Sequence, residues 1–270
     1  MDPTGKPRGS PRRPQGASKQ VPSNSLERGL RILDMIGSRQ RGLSNKEISE
    51  ELQIATSSCS YVLGRLEREG YLARNAATGR YEIGLKVLAI SRSVLRHMSF
   101  RTVAEPVLQQ LLHDTGLEGV IGVLDQSRVM VINRVRSGEF PDADVDTGTE
   151  IPAYATAIGK VLLAHVPEEH VLELIAEQGF VKLAPKTITS TADLLKELDQ
   201  VRKQGYAISD EEHLPGLRSA AAPIVDTQRT VRAGVAAVGS TRQLVWRDTG
   251  AIVEHVKAAA REISRLVRFT

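Results

Sequence analysis

Residues 44–84 read "SNKEISEELQIATSSCSYVLGRLEREGYLARNAATGRYEIG", and the places where this stretch breaks decide the fold. "SNKE" (44–47) is a capping-box pattern, in which Ser44 and Glu47 bond each other's backbone N–H, and the helix it opens buries Ile48 and Leu52. "QIA" makes a turn. A second helix runs from about Ser57 to Glu69, with Cys59, Val62, Leu63 and Leu66 at i, i+3, i+4 and i+7 on one face. Gly70 then falls at the C′ position, where a left-handed backbone favours glycine. "YLAR" (71–74) and "RYEI" (80–83) are strand patterns separated by "NAATG", whose Gly79 supplies a positive-φ turn. Upstream, Leu26, Leu30, Leu33 and Ile36 recur at helical spacing behind Ser25 as N-cap. Three short helices and a hairpin within residues 25–84 outline a winged helix-turn-helix.

Charge points the same way. Residues 1–24 carry five Lys/Arg (Lys6, Arg8, Arg12, Arg13, Lys19) against Asp2 alone, and residues 25–86 carry ten basic against eight acidic side chains. The chain's net +4 is therefore +6 in this part and −2 in residues 87–270. Such asymmetry favours a polyanionic partner for the N-terminal part. Residues 1–24 also hold five of the twelve prolines and almost no apolar residue, so they are read as a disordered basic tail.

With Cys59, Val62, Leu63 and Leu66 turned inward, the third helix leaves Thr56, Ser57, Ser60, Tyr61, Arg65 and Arg68 on its other sides. Hydroxyls beside the free N–H groups of a helix start suit phosphate contact. Tyr61 and Arg65, further along, are placed to reach base edges in the major groove. Ser44, Asn45 and Ser58 join this candidate DNA-binding set, and Arg74 and Arg80 flank the wing, where guanidinium groups hold backbone phosphate or enter the minor groove.

The rest of the chain reads as a second domain. A helix over 85–98 links to it, and another over 102–116 opens it with Thr102 and Glu105 as a capping pair. Strands at 119–124 and 129–135 meet at the turn Asp125–Arg128, and residues 136–152 form a Gly/Asp/Pro-rich loop. Helices at 155–165, 168–179 and 191–205 (Ser190 or Thr191 as cap) precede strands at 206–209, 219–225 and 231–239, and Ile252, Val256, Ala259, Ile263 and Leu266 mark a last amphipathic helix. Tight connections between strands predict a largely antiparallel sheet with helices on its faces, and hence an α+β class.

These residues carry a resemblance. "SLERGLRILDMI", "GLSNKEISEEL", "VLGRLEREGYL", "TGRYEIG", "AEPVLQQLLHDTG", "IPAYATAIGKVLLA" and "GYAISDEEHLPGLRSAAAPIVD" are similar to the IclR family of bacterial transcription regulators, from Ser25 to the end of the chain. The resemblance implies a winged helix-turn-helix domain (25–84), a linker helix (85–99) and a GAF-like effector-binding domain (100–270). It implies a homodimer or dimer of dimers on a palindromic double-stranded operator, and the lack of a membrane-span or signal-like apolar run makes the cytoplasm the expected location. It also implies a regulator that represses or activates transcription in answer to a small organic or aromatic acid; for this chain repression is the expectation, with no cofactor or metal.

Family pocket-lining segments fall on Phe140, Ala143, Ala157, Ile158, Ser209, Leu217, Ser219, Ala236 and Val238. The chain departs from the family in two ways. Recognition helices of the family commonly carry His and Arg one turn in, where this chain has Ser60 and Tyr61, so its operator differs from theirs. Ser219 stands where many members have cysteine, and Ala236 and Val238 where hydroxyls can occur, which favours a larger or more apolar effector.

Rival readings are weaker. Ser219 beside Asp210, Glu211, Glu212 and His213 is the one cluster that suggests a hydrolase or a metal site, but no G-x-S-x-G turn accompanies it and the acidic run reads as a solvated turn. A DNA-binding protein that senses no ligand is the second alternative. Cys59, the only cysteine, reads as a small buried hydrophobe rather than a nucleophile. No run of residues is apolar enough for a membrane span.

Overall fold

The computed structural model describes residues 24–39, 41–97, 100–138 and 145–267. The chain falls into two compact units that divide between Leu95 and Arg96. The first contains α1 (Ser25–Gly37), α2 (Asn45–Leu52), α3 (Thr56–Arg68), β1 (Leu72–Arg74), β2 (Tyr81–Ile83) and most of α4 (Lys86–His97). Its core is Ile32, Ile36, Leu43, Ile48, Leu52, Cys59, Val62, Leu63, Leu72 and Tyr81. The capping box at Ser44 and Glu47 forms. At the end of α3, Gly70 (φ +78°) donates to the Glu67 carbonyl and Tyr71 to that of Leu66, closing the helix with a Schellman motif. β1 and β2 pair antiparallel with Leu72 opposite Ile83, around a turn in which Gly79 takes φ +67°.

Two local expectations need correction. The N-cap of α1 is Asn24, whose Oδ1 accepts from Glu27 N at 2.8 Å, so Ser25 is already helical. Its buried stripe is Gly29, Ile32 and Ile36, whereas Leu26 (73% exposed) and Leu30 (55%) lie outside. The two stripes are neighbours sharing Ile36, and spacing alone does not choose between them. Likewise α3 starts at Thr56 behind Ala55, which offers no capping side chain.

The second unit contains α5 (Phe100–Thr115), β3 (Glu118–Asp125), β4 (Arg128–Val135), β5 (Glu150–Pro152), a 3-10 turn (Ala153–Ala155), α6 (Ala157–Leu163), α7 (Glu168–Gln178), α8 (Thr191–Gln204), β6 (Ala207–Asp210), β7 (Leu217–Val225), β8 (Val231–Ser240) and α9 (Thr249–Leu266). The six strands form one sheet in the order β5-β4-β3-β8-β7-β6, every pairing antiparallel. One face packs Leu117, Ile121, Ala222, Ile224 and Val235 against Leu108 and Leu111 of α5 and Val256 and Ile263 of α9. The other packs Val120, Val131, Ala221 and Ala236 against Ala157, Ile158 and Val161 of α6 and Leu194 and Leu198 of α8. Ser190 caps α8. The 136–152 loop ends in β5, which pairs with the β4 edge through Val129 and Ile151. Because α5 begins at Phe100, Thr102 lies inside it, and Glu105 instead accepts a hydrogen bond from Asn133 at 2.9 Å.

Candidate DNA interface and effector cavity

α2 and α3 are locked by the polar residues at their crossing. Asn45 Nδ2 donates to Ser60 Oγ (2.6 Å) and to the Thr56 carbonyl (3.4 Å), and the hydroxyls of Ser49 and Thr56 lie 3.4 Å apart. Ser44 is occupied by the capping box. Of the ten residues singled out for DNA, Ser44, Asn45, Thr56 and Ser60 therefore make bonds inside the domain, while Thr56, Ser57, Ser60, Tyr61 and Arg65 are exposed along α3 and Ser58 is half-buried. The Arg65 guanidinium sits 5.8 Å from the Tyr61 ring centroid, so the two form one amphipathic unit on the outer face.

The two wing arginines differ. Arg74 is exposed, with its guanidinium 5.6 Å from the Tyr81 ring. Arg80 turns inward: Nη1 donates to the Gly42 carbonyl (2.7 Å) and to Glu47 (2.9 Å), and Nη2 donates to the other Glu47 oxygen at 3.1 Å. It pins the wing to the start of α2. Bonds from the Ser44 backbone and hydroxyl, joined by Arg80, hold the Glu47 carboxyl down at about 2. Cys59 is fully buried and its thiol is pushed up to about 11 by that burial, which removes the thiolate that a reactive site needs.

In the second unit, the antiparallel register builds a cavity. Glu118, Val238, Ser219 and Ser209 stand in one row across β3, β8, β7 and β6, and Arg134, Val120 and Ala236 in the next row across β4, β3 and β8. Side chains two apart on a strand share a face, so both rows look toward α6. With Ala157 and Ile158 of α6, Leu217, His213, Thr156, Ile151 and Val145, they line about 570 Å³ of atom-free space, counted to its open mouth. All seven expected effector residues within the described part (Ala157, Ile158, Ser209, Leu217, Ser219, Ala236, Val238) meet there. Phe140 and Ala143 lie outside the described residues.

Sequence reading missed the charged pair in this cavity. Arg134 Nε donates to Glu118 Oε2 at 2.9 Å, Nη2 bonds the same oxygen, and Nη1 bonds the Val145 carbonyl. The other Glu118 oxygen accepts from the Ser137 N–H at 3.3 Å, and both charged side chains are 4% exposed. Burial, with the Arg128 charge second, lowers the pKa of His213, so the ring is neutral at pH 7. The signal was a Glu at the start of β3 and an Arg in β4, each a charged residue in an otherwise largely apolar strand, but only the register shows that they face each other.

The acidic run 210–212 is not the solvated turn that was expected. Asp210 accepts from Arg218 (2.7 Å) and Lys186 (2.7 Å), and Glu211 from Lys186 (3.0 Å) and the Gly216 N–H. Glu212 accepts at 2.6 Å from Lys160, a lysine 1% exposed on α6 that also donates to Glu197 (3.0 Å) and the Ile208 carbonyl (3.1 Å). Lys160 thereby ties α6, β6 and the 211–216 loop into one frame behind the cavity. The carboxylates beside Ser219 are thus held in ion pairs with Arg218, Lys186 and Lys160. Among the described residues no group of three His, Cys, Asp or Glu is arranged for a metal ion.

Comparison with known proteins assigns both units. Residues 92–265 match the family described as the C-terminal domain of the bacterial transcriptional regulator IclR, and residues 25–76 match the IclR helix-turn-helix domain. The chain belongs to the IclR family. It is 31% identical to the HTH-type transcriptional regulator BhcR of Paracoccus denitrificans over 92% of this chain and 89% of that protein. It is 27% identical to the transcriptional repressor IclR of Escherichia coli over 89% and 88%. A solved IclR homologue of Microbacterium hydrocarbonoxydans in complex with 4-hydroxybenzoate superposes with a TM-score of 0.79 at 21% identity, covering 90% of this chain and 98% of that one. Members of this family are DNA-binding regulators of transcription, not enzymes. Among the described residues no helix is long and apolar enough to cross a membrane.

Proposed function

We propose that this IclR-family regulator is a cytoplasmic repressor that grips a palindromic operator as a homodimer, or dimer of dimers, and changes its grip when a small metabolite fills the cavity of the second unit. The gathering of seven expected effector residues into one cavity is the observation that carries this reading. In it, residues 25–84 bind DNA, α4 belongs to the 85–99 linker, and residues 100–270 sense the effector. Tyr61 and Arg65 read bases, Ser57, Ser58 and Arg74 support them on the phosphates, and Ser44, Asn45, Thr56, Ser60 and Arg80 hold the reading surface in shape. Leu26 and Leu30 on α1, with Leu85, Leu88 and Ile90 at α4, are exposed apolar side chains suited to the dimer contact. An organic or aromatic acid is the effector class, in keeping with the relative that holds 4-hydroxybenzoate.

The test is a gel shift of the full chain on its upstream intergenic DNA, with and without each member of a panel of aliphatic and aromatic acids and their neutral analogues. A ligand that changes affinity about fivefold or more corresponds to an ordinary allosteric coupling. The same ligand should stabilise the protein by about 2.7 kcal/mol at a hundredfold excess over Kd. A protein that binds its operator with no panel member moving either readout would be the ligand-independent regulator of the second reading.

A further inference from the structure

Among the described residues, three ionisable side chains line the effector cavity: Glu118 from β3, Arg134 from β4 and His213 from the 211–216 loop. His213 is the neutral one. The other two cancel each other, since Glu118 takes Arg134 through both Nε and Nη2 and its second oxygen is held by Ser137. The remaining lining is carbon (Val120, Val145, Ile151, Ile158, Leu217, Val238) and hydroxyl. Ser209 donates its proton to the Ala155 carbonyl at 2.9 Å and so presents an acceptor oxygen, with Ser219 opposite it in register.

We infer that Glu118 sets the charge selectivity of the cavity: by neutralising Arg134 inside it, Glu118 makes the site a receptor for an uncharged, carbon-rich ligand carrying hydroxyl, amide or protonated carboxyl groups, and disfavours a free carboxylate. The inference rests on the cavity being the effector site. A carboxylate entering it gives up its hydration and meets an arginine whose charge Glu118 already balances. An amide or alcohol of the same shape gives up less and can donate to Ser209. The organic or aromatic acid proposed as effector is then bound with its carboxyl protonated, and its uncharged amide or alcohol analogue binds more tightly at neutral pH.

The experiment uses the full chain and matched trios: benzoate, benzamide and benzyl alcohol, and butyrate, butyramide and butanol, titrated by calorimetry near pH 7. The amide or alcohol is expected to bind about tenfold or more tightly than the carboxylate of its trio. Glu118→Gln removes the carboxylate that takes Arg134 through Nε and Nη2 and should raise carboxylate affinity about tenfold or more, reversing the order. Ile158→Trp, which fills the cavity, should abolish either kind of binding. Should the wild-type protein prefer the carboxylates, with binding still lost in Ile158→Trp, the charge inference fails and the effector site stands. If no member binds either wild type or Glu118→Gln, the effector reading fails and takes the inference with it. Were Glu118→Gln not to fold, the wild-type order decides alone.

Discussion

Lys160→Met tests whether the buried frame behind the cavity is electrostatic. Methionine retains most of the unbranched stem, so packing changes little, and the substitution removes a charge with three acceptors: Glu212 at 2.6 Å, Glu197 at 3.0 Å and the Ile208 carbonyl at 3.1 Å. Glu197 is 30% exposed and returns to water at small cost. Glu212 cannot, because the residue is 8% exposed and its Oε2 has no hydrogen-bond partner. Breaking a buried pair on one side costs about 3–5 kcal/mol. Glu212 has one escape, which is to take a proton. Burial already pushes this carboxyl above its ordinary value of 4.5, and taking up a proton relative to that value in the unfolded chain costs about 3 kcal/mol at neutral pH. The expected loss is therefore about 3 kcal/mol at pH 7, the lower end of the range. The sign follows: in the variant, folding takes up a proton above pH 4.5, so the deficit grows with rising pH and shrinks by about 1.4 kcal/mol per unit as pH falls toward that value. Urea unfolding read by Trp246, the single tryptophan, isolates the second unit. Lys160→Met/Glu212→Gln should recover most of the loss. A deficit under about 1 kcal/mol, or one equal at about pH 5 and about pH 8, would refute the reasoning.

Other outcomes follow from the same geometry. Gly159→Ala places a Cβ 2.1 Å from the Ala153 carbonyl oxygen and 2.3 Å from its Cα, so α6 must shift; a loss of at least about 1–3 kcal/mol in the same unfolding assay is expected. Arg65→Ala should weaken operator binding by about 1–3 kcal/mol and leave random DNA largely unaffected, and equal losses on both would rule out base reading. Arg80→Ala should instead lower the melting temperature of residues 25–84 and weaken all DNA alike, and an unchanged melting curve would contradict its role as a strut. The Glu47 contribution to that strut, absent only when the carboxylate is protonated, is present in full above its unfolded value near 4.5 and is lost as pH falls through about 2; circular dichroism of residues 25–84 at about pH 4 should still show the native helices. Cys59 should react with a thiol reagent only as fast as the first unit opens, and a fast native-state reaction would show the thiol to be reactive after all.

The elements whose boundaries rest on local chemistry were legible in the chain. The Ser44–Glu47 box, Gly70 and Gly79 each satisfy a backbone demand within a few residues, and each lies where the sequence places it. Partner choice across long separations was not legible. Arg74 and Arg80 look alike beside the wing, yet Glu47, thirty-three residues before Arg80, turns one of them inward. Leu26 and Leu30 are as apolar as Ile32 and Ile36, and only the packing of α1 on α3 chooses between the stripes.

The cavity shows both sides of this limit in one place. Its apolar and hydroxyl residues were named because the family resemblance carries its pocket-lining segments onto them, position by position along the chain. Its charge was not, because Glu118 and Arg134 are sixteen residues apart on strands whose register contains an irregularity between Ile121 and Gly122. A one-residue slip on either side of that bulge would turn Arg134 to the α5–α9 face, away from Glu118. The bulge therefore decides whether the cavity holds a balanced pair or an unbalanced charge. Deleting one residue at it should cost the second unit its stability before it alters ligand preference, since an unpaired buried Glu118 is the more expensive fault.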